Sequence, residues 1–167
     1  MRLNEKKTIL AIDPTLRGLA YAVFEEGQLL DWGRSQRTSK YDDLALLDRL
    51  IAHYGADILV VEDPDASCCR RGARVKRLLR SAREYAEMRR LKARAVRRVG
   101  VRDSWRAAGC RTSESIAARI AELFPVLQPL VPKPRKSYMP EDERVRVFGA
   151  IALALAATRS FPPRLVS

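Results

Sequence analysis

Two carboxylates in this sequence follow the same local pattern, in which a short apolar run ends on an acidic residue. The run at residues 9–12 ends on Asp13, and the run at residues 58–61 ends on Glu62. A buried carboxylate is unfavourable unless a cation meets it. Carboxylate oxygens are ligands that favour Mg²⁺ or Mn²⁺, and a bound ion of this kind can activate water for the hydrolysis of phosphodiester bonds. Asp13 and Glu62 therefore indicate either a metal-dependent nuclease or two strand-terminal acids that pair with arginines.

Histidine and cysteine chemistry has few residues to use. His53 is the only histidine, and we expect it to be structural rather than catalytic. Cys68 and Cys69 are adjacent and Cys110 is separate, which fits neither a disulfide framework nor zinc spacing. This cysteine usage predicts a reducing, cytoplasmic setting.

The elements that must position the two carboxylates alternate between strands and helices. We predict strands over residues 9–13, 19–24, 28–32, 57–62 and 92–99, and helices over residues 40–54, 73–91, 101–108, 112–124 and 141–159. A helix between the strands that end on Asp13 and Glu62 implies a right-handed crossover between parallel neighbours. Both acids then lie at one edge of the sheet, on strands about 4.8 Å apart. The length of 167 residues suits one α/β domain that spans residues 1–167.

The charge of the chain predicts a polyanionic partner. A formal net charge of +12 and a pI near 10.3 favour nucleic acid, with a membrane surface second. No apolar run is long enough to span a bilayer. Residues 70–106 are overwhelmingly positive, and such self-repulsion is relieved by phosphates. We expect nucleic-acid contacts from two groups of residues. The first lies at the start of the predicted helix 73–91 and comprises Arg70, Arg71, Arg74 and Arg77. The second lies in a proline-rich loop and comprises Lys133, Arg135 and Lys136.

The order of these motifs resembles the RuvC-like branch of the ribonuclease H fold, the Holliday-junction resolvase family. The matching segments cover nearly the whole chain: AIDPTLRGLAYAV, LVVEDP, RRGARVKRLL, GCRTSESIAARIAELFP and RKSYMPEDERVRVFGAIALALA. The resemblance implies a five-stranded mixed sheet of order 3-2-1-4-5 flanked by helices. It also implies Asp13 and Glu62 as the first two ligands of Mg²⁺ or Mn²⁺, branched DNA as the substrate, and a homodimer as the working unit.

The third acidic motif of that family departs from the pattern here. Gly149 stands where the family usually has an aspartate, and Arg146 stands where a further ligand can occur. Among the upstream acids Glu141, Asp142 and Glu143, Asp142 lies two turns before Gly149 and would share its helical face. Asp142, or its neighbour Glu143, is therefore the expected replacement ligand. The alternative is that these acids only complement the dipole at the start of a helix.

Three functions follow from the sequence. The first is a metal-dependent endonuclease that acts on branched or structured DNA, with Asp13, Glu62, Asp142 and Glu143 in its catalytic centre. The second is a degenerate RuvC-like protein that binds nucleic acid without cutting it, and Gly149→Asp would discriminate the two through a gain of cleavage. The third is an actin-like or sugar-kinase-like ATPase, which the short chain and the lack of a second glycine-rich phosphate loop disfavour.

Overall fold

A five-stranded mixed sheet carries the candidate carboxylates. The computed structural model describes residues 6–36, 40–134, 136–140 and 142–158. Its strands are β1 (Thr8–Pro14), β2 (Gly18–Glu25), β3 (Gln28–Gln36), β4 (Ile58–Glu62) and β5 (Lys92–Val96). Its helices are α1 (Lys40–Tyr54), α2 (Ala73–Met88), α3 (Arg98–Ala107), α4 (Ser113–Leu123) and α5 (Val145–Ala157), with a 3₁₀ helix over Pro125–Leu130.

The strand order is β3-β2-β1-β4-β5, which confirms the predicted 3-2-1-4-5 topology. The first three strands form an antiparallel meander, whereas β4 is parallel to both β1 and β5. Central strands that are covered on both faces must be apolar throughout, and the whole of β4 is buried. The apolar runs before Asp13 and Glu62 therefore form the centre of the sheet.

Helices pack on both faces of the sheet. Leu10 and Ile12 of β1 point toward a core that includes residues of α1 and α2, whereas Ala11 points toward α5 and α4 on the opposite face. Helix α5 contributes eight buried residues, because it is apolar around most of its circumference. No helix in the described part of the chain is both long and apolar enough to cross a membrane.

The last helix begins later than the sequence predicted. We expected helix over residues 141–159, but α5 starts at Val145, and residues 142–144 form a turn. The Asp142 side chain accepts hydrogen bonds from both the backbone N–H and the side chain of Arg144. Short-range bonding by Asp side chains competes with helix formation, which is why the helix does not extend back to Asp142.

Helix α2 ends at Met88, three residues before the predicted end. Arg90 has a φ of 60°, and the N–H groups of Arg90 and Leu91 donate to the carbonyls of Glu87 and Ala86. These bonds form a Schellman motif, in which glycine normally takes the left-handed position. The sequence held no glycine there to indicate the end. Strand β5 likewise ends at Val96, and α3 begins at Arg98, so the predicted boundaries at 99 and 101 were wrong.

Candidate active site

Asp13 and Glu62 lie side by side at one edge of the sheet. The parallel register pairs Ala11 with Val60, and two further residues along each strand bring Asp13 opposite Glu62. Because side chains alternate along a strand, both carboxylates face the side of the sheet that α5 covers. They are almost completely buried, with 1% of Asp13 and 2% of Glu62 exposed.

A single guanidinium lies between the two carboxylates. Arg71 Nη2 is 2.7 Å from Asp13 Oδ1, and Arg71 Nε is 3.4 Å from Glu62 Oε2. The same Nη2 also donates to the carbonyl oxygen of Pro14. The Arg71 side chain is only 12% exposed. A buried guanidinium in this position neutralises the repulsion between the acids, so this arrangement matches the second of the two interpretations of the acids, pairing with arginine.

The loop between β4 and α2 brings Arg71 into the site. Asp63 N–H donates to the Val96 carbonyl of the neighbouring strand, and the loop then turns back at Cys69, which is buried. Helix α2 begins at Ala73, so Arg71 lies two residues before its first residue. Arg98, at the start of α3, approaches Glu62 from the other side, at 3.5 Å from Oε1. The sequence did not identify Arg98, because only the tertiary fold brings α3 against the end of β4.

Gly149 of α5 faces Asp13 directly. A Cβ atom built on Gly149 would lie 3.4 Å from Asp13 Cγ and inside the van der Waals contact distance of Asp13 Oδ2. The absence of a side chain at position 149 therefore has a packing reason, because the carboxylate of Asp13 occupies the adjacent space. The Oδ2 atom accepts no hydrogen bond within the described structure, and neither oxygen of Glu62 accepts one.

The expected replacement ligands are engaged elsewhere. Asp142 lies before α5 rather than on it, so the predicted shared helical face with Gly149 is wrong. Its pKa is lowered by hydrogen bonds from Arg144. Glu143 forms an ion pair with Arg34 of β3 at 2.6 Å. Glu141 lies outside the described residues.

The residues at this edge of the sheet do not fit a divalent cation in the observed arrangement. Among the described residues, no group of three or more His, Cys, Asp or Glu side chains could hold a metal ion. One oxygen of Asp13 is bonded to Arg71, and Gly149 supplies no ligand. A divalent site would need Arg71 to leave and further oxygen ligands to arrive.

Comparison with known proteins gives a match in structure alone. No protein-family model matches the chain, and no curated protein matches it in sequence. The Thermus thermophilus RuvC structure is similar with a TM-score of 0.61 at 16% identity, over 89% of this chain and 92% of that chain. T. thermophilus RuvC in complex with a Holliday junction substrate is similar with a TM-score of 0.62 at 14% identity, over 90% and 91% of the two chains. The chain has a RuvC-like fold.

The arginines predicted to contact nucleic acid occupy different environments on this RuvC-like fold. Arg70, Arg74 and Arg77 are exposed, and Arg74 donates to the carbonyl oxygen of Leu16 in the β1–β2 turn. Within the described part of the chain, Arg70 and Arg77 form no ion pair. Arg71 is the exception, because it is directed inward to the carboxylates.

The proline-rich loop is exposed at both predicted lysines, Lys133 and Lys136. Lys136 Nζ lies 5.9 Å from the ring centroid of Tyr138, which is 75% exposed. Arg135 lies outside the described residues. The loop therefore presents cations and one aromatic ring to solvent.

A separate group of hydrogen bonds is centred on Asp31 of β3 and does not include Asp13 or Glu62. Asp31 accepts hydrogen bonds from the hydroxyls of Tyr54 and Tyr21. The hydrogen bond from Tyr54 to Asp31, together with burial, raises the pKa of Tyr54 to about 12, and burial together with the Asp31 charge raises the pKa of Tyr21. Burial and a hydrogen bond to Asp48 similarly raise the pKa of Tyr85 on α2. The Asp31 bonds join α1 to the meander, and the Tyr85 bond joins α2 to α1.

Proposed function

We propose that this protein binds branched or structured nucleic acid on its RuvC-like fold without cutting it by a divalent-metal mechanism. The observation that carries this proposal is the guanidinium of Arg71 between Asp13 and Glu62. An arginine cannot lose its charge in a protein, so Arg71 stays a cation between the two acids at every physiological pH. The function proposed is thus the second of the three derived from the sequence.

The charge of the molecule supports the binding part of the proposal. The chain carries 32 basic residues against 20 acidic ones. Arg70, next to Arg71, and Arg77 on α2 are exposed and have no acidic partner among the described residues, so they are available to phosphate oxygens. The similar T. thermophilus RuvC is in complex with a Holliday junction, which makes a four-way junction the first ligand to test.

Binding is tested by fluorescence anisotropy with a four-way junction, a fork and a linear duplex made from the same strands, in the presence of EDTA. We expect binding that weakens steeply with salt, because phosphate contacts release counterions. Arg70→Ala/Arg77→Ala should weaken binding by roughly tenfold and reduce the salt slope by about two. The matched control is Arg119→Ala, which removes an arginine that is paired with Glu122 on α4. Equal affinity of the double variant and wild type would contradict the proposed surface.

Cleavage is tested separately with the same substrates and Mg²⁺ or Mn²⁺. We expect intact strands after an incubation in which the protein is saturated with junction. Cleavage that disappears in Asp13→Asn and in Glu62→Gln would overturn this part of the proposal. Cleavage that persists in both variants would indicate a contaminating nuclease, and repurified protein would then have to leave the strands intact.

The structure changes the expectation for Gly149→Asp. From the sequence, this substitution was a test through gain of cleavage. A side chain at position 149 would now collide with the Asp13 carboxylate, and Arg71 would still occupy the space between the acids. We therefore expect no cleavage from Gly149→Asp alone, and restored activity in that variant would contradict the role given to Arg71.

The metal-dependent endonuclease stays a second candidate because of one observation. Asp13 Oδ2 and both oxygens of Glu62 are buried and accept no hydrogen bond within the described structure. Unsatisfied buried acceptors favour the arrival of a further cation or donor. Titration of the protein with Mn²⁺ distinguishes the two candidate functions. Saturable Mn²⁺ binding that is lost in Asp13→Asn favours the nuclease, and the absence of Mn²⁺ binding favours the non-cleaving protein.

A further inference from the structure

A cavity of about 370 Å³ adjoins the buried carboxylates, between α3, α4 and α5. Four arginines line it: Arg98, Arg102, Arg111 and Arg146. Among the described residues, Asp13 is the one acid in its lining, and Oδ1 of that residue is already bonded to Arg71. Arg98 also pairs with Glu62, so the positive excess of the cavity comes chiefly from Arg102 and Arg111. The sequence did not indicate it because the four arginines come from three separate segments.

The charge excess predicts an anionic ligand. Arg102 and Arg111 are exposed and have no acidic partner among the described residues. A concave site with charges of one sign concentrates the electrostatic potential inside it. The first turn of α4 adds to this, since Thr112 and Ser113 line the cavity at the positive end of the helix dipole. A phosphate monoester carries more charge than a phosphodiester and balances these guanidinium groups better.

The remaining wall of the cavity is apolar and includes Val101, Ile116, Val145, Phe148, Ala152 and Leu153. Such a wall suits a flat, weakly polar group such as a nucleobase. At the inner end, Asp13 Oδ2 is a buried acceptor that has no donor among the described residues, and a sugar hydroxyl could supply one. A volume of this size holds one small ligand rather than a stack of bases.

We propose that this cavity binds a single nucleotide through a terminal phosphate group. The nucleotide can be free, or it can be the phosphorylated end of a nucleic acid, and for the second source the inference rests on the proposed function. The arginines hold the phosphate, the apolar wall holds the base, and Asp13 accepts from the sugar.

The test uses isothermal titration calorimetry with three probes: deoxyadenosine 5′-monophosphate, deoxyadenosine and inorganic phosphate. We expect the monophosphate to bind at least about tenfold more tightly than either fragment, because only the monophosphate contacts both the arginines and the apolar wall. Arg102→Ala/Arg111→Ala should weaken its binding by at least about tenfold, since charge-assisted hydrogen bonds are lost. Both residues are exposed, so the double variant should keep the wild-type melting temperature.

Arg119→Ala serves as the matched control, because it removes a charge from α4 outside the cavity. Its affinity for the monophosphate should equal that of wild type. An equal loss in both variants would indicate a general effect of net charge and would overturn the proposal. Equal binding of the monophosphate and deoxyadenosine would overturn it as well.

The two sources are distinguished with one oligonucleotide that ends in hydroxyls or carries a phosphate at its 5′ or 3′ end. Tighter binding of a phosphorylated end that is lost in Arg102→Ala/Arg111→Ala supports a polymer end. Binding of the free monophosphate with no advantage for phosphorylated ends supports a free nucleotide. If neither binds through these arginines, the proposal is wrong. Junction binding that persists in that case leaves the proposed function intact, whereas nucleotide binding without junction binding refutes the proposed function alone.

Discussion

Two ion pairs in this molecule have the same nitrogen–oxygen distance and opposite surroundings. Arg71 and Asp13 are 2.7 Å apart with side chains that are 12% and 1% exposed. Arg144 and Asp142 are also 2.7 Å apart, with side chains that are 56% and 39% exposed. The first pair lies in a low-dielectric interior, and the second is screened by water. The comparison teaches that contact distance alone does not tell which pair holds the structure together.

The largest expected effect is that of Arg71→Ala. This substitution removes the guanidinium between the buried Asp13 and Glu62, while Arg98 still approaches Glu62, and losing one partner of a buried pair costs about 3–5 kcal/mol. Urea denaturation measures the loss, with Arg144→Ala as the matched control, for which we expect no measurable change. A loss of stability in Arg71→Ala no greater than in the control would show that the buried pair contributes no more than the exposed one.

Arg71→Ala could fail to fold, and a second variant covers that outcome. Arg71→Ala/Asp13→Asn removes one uncompensated charge together with the arginine. We expect it to be more stable than Arg71→Ala, because an amide is less costly to bury than an unpaired carboxylate. A double variant less stable than Arg71→Ala would show that Arg71 acts through packing rather than charge.

The next effect concerns the space beside Asp13. Gly149→Ala should destabilise the protein by about 1–3 kcal/mol because of overpacking, although alanine favours a helix by about 1 kcal/mol. Gly100→Ala on α3 is the control, since nothing lies within 4 Å of the added atom, and it should stabilise the protein. Thermal denaturation compares the two. The loss of stability caused by Gly149→Ala should be smaller in an Asp13→Ala background. Equal losses in both backgrounds would contradict a steric contact between position 149 and Asp13.

An intermediate effect is expected where a carboxylate is met by hydroxyls instead of a guanidinium. Tyr54→Phe removes a hydrogen bond to Asp31 and should cost about 1 kcal/mol. The pKa of Tyr54 is raised from 10.0 to about 12, so its contribution is complete below pH 10 and is lost as the pH rises through about 12. Urea denaturation across that interval should show a smaller decline in Tyr54→Phe than in wild type. Tyr138→Phe, at an exposed position, should decline as wild type does.

The smallest effect is that of Asp142→Asn. Hydrogen bonds from Arg144 lower the pKa of Asp142, so any contribution is present above its unfolded pKa and is lost as the pH falls through the folded value. Solvent screens this pair, and we expect the urea midpoint of Asp142→Asn at neutral pH to equal that of wild type. A loss comparable with that of Arg71→Ala would show that the exposed pair matters as much as the buried one.

The candidate site was predictable from the sequence only in its acidic half. Asp13 and Glu62 each end an apolar run, and that local pattern placed both at one sheet edge. Arg71 lies among eight or more nearby basic residues in the sequence, so nothing local distinguished it from Arg70 or Arg74. The proposed role of Asp142 relied on helical spacing, which does not apply because a turn precedes α5.

By itself the sequence determined where most strands lie and the cationic character of the chain, because apolar periodicity and net charge are properties of short segments and of composition. The strand order came from the resemblance of its motifs to the RuvC-like family. Only the tertiary structure decided which arginine enters the space between the acids, why position 149 has no side chain, and which four arginines share a cavity. Those contacts join residues far apart in the chain, and the path of the connecting loops fixes them.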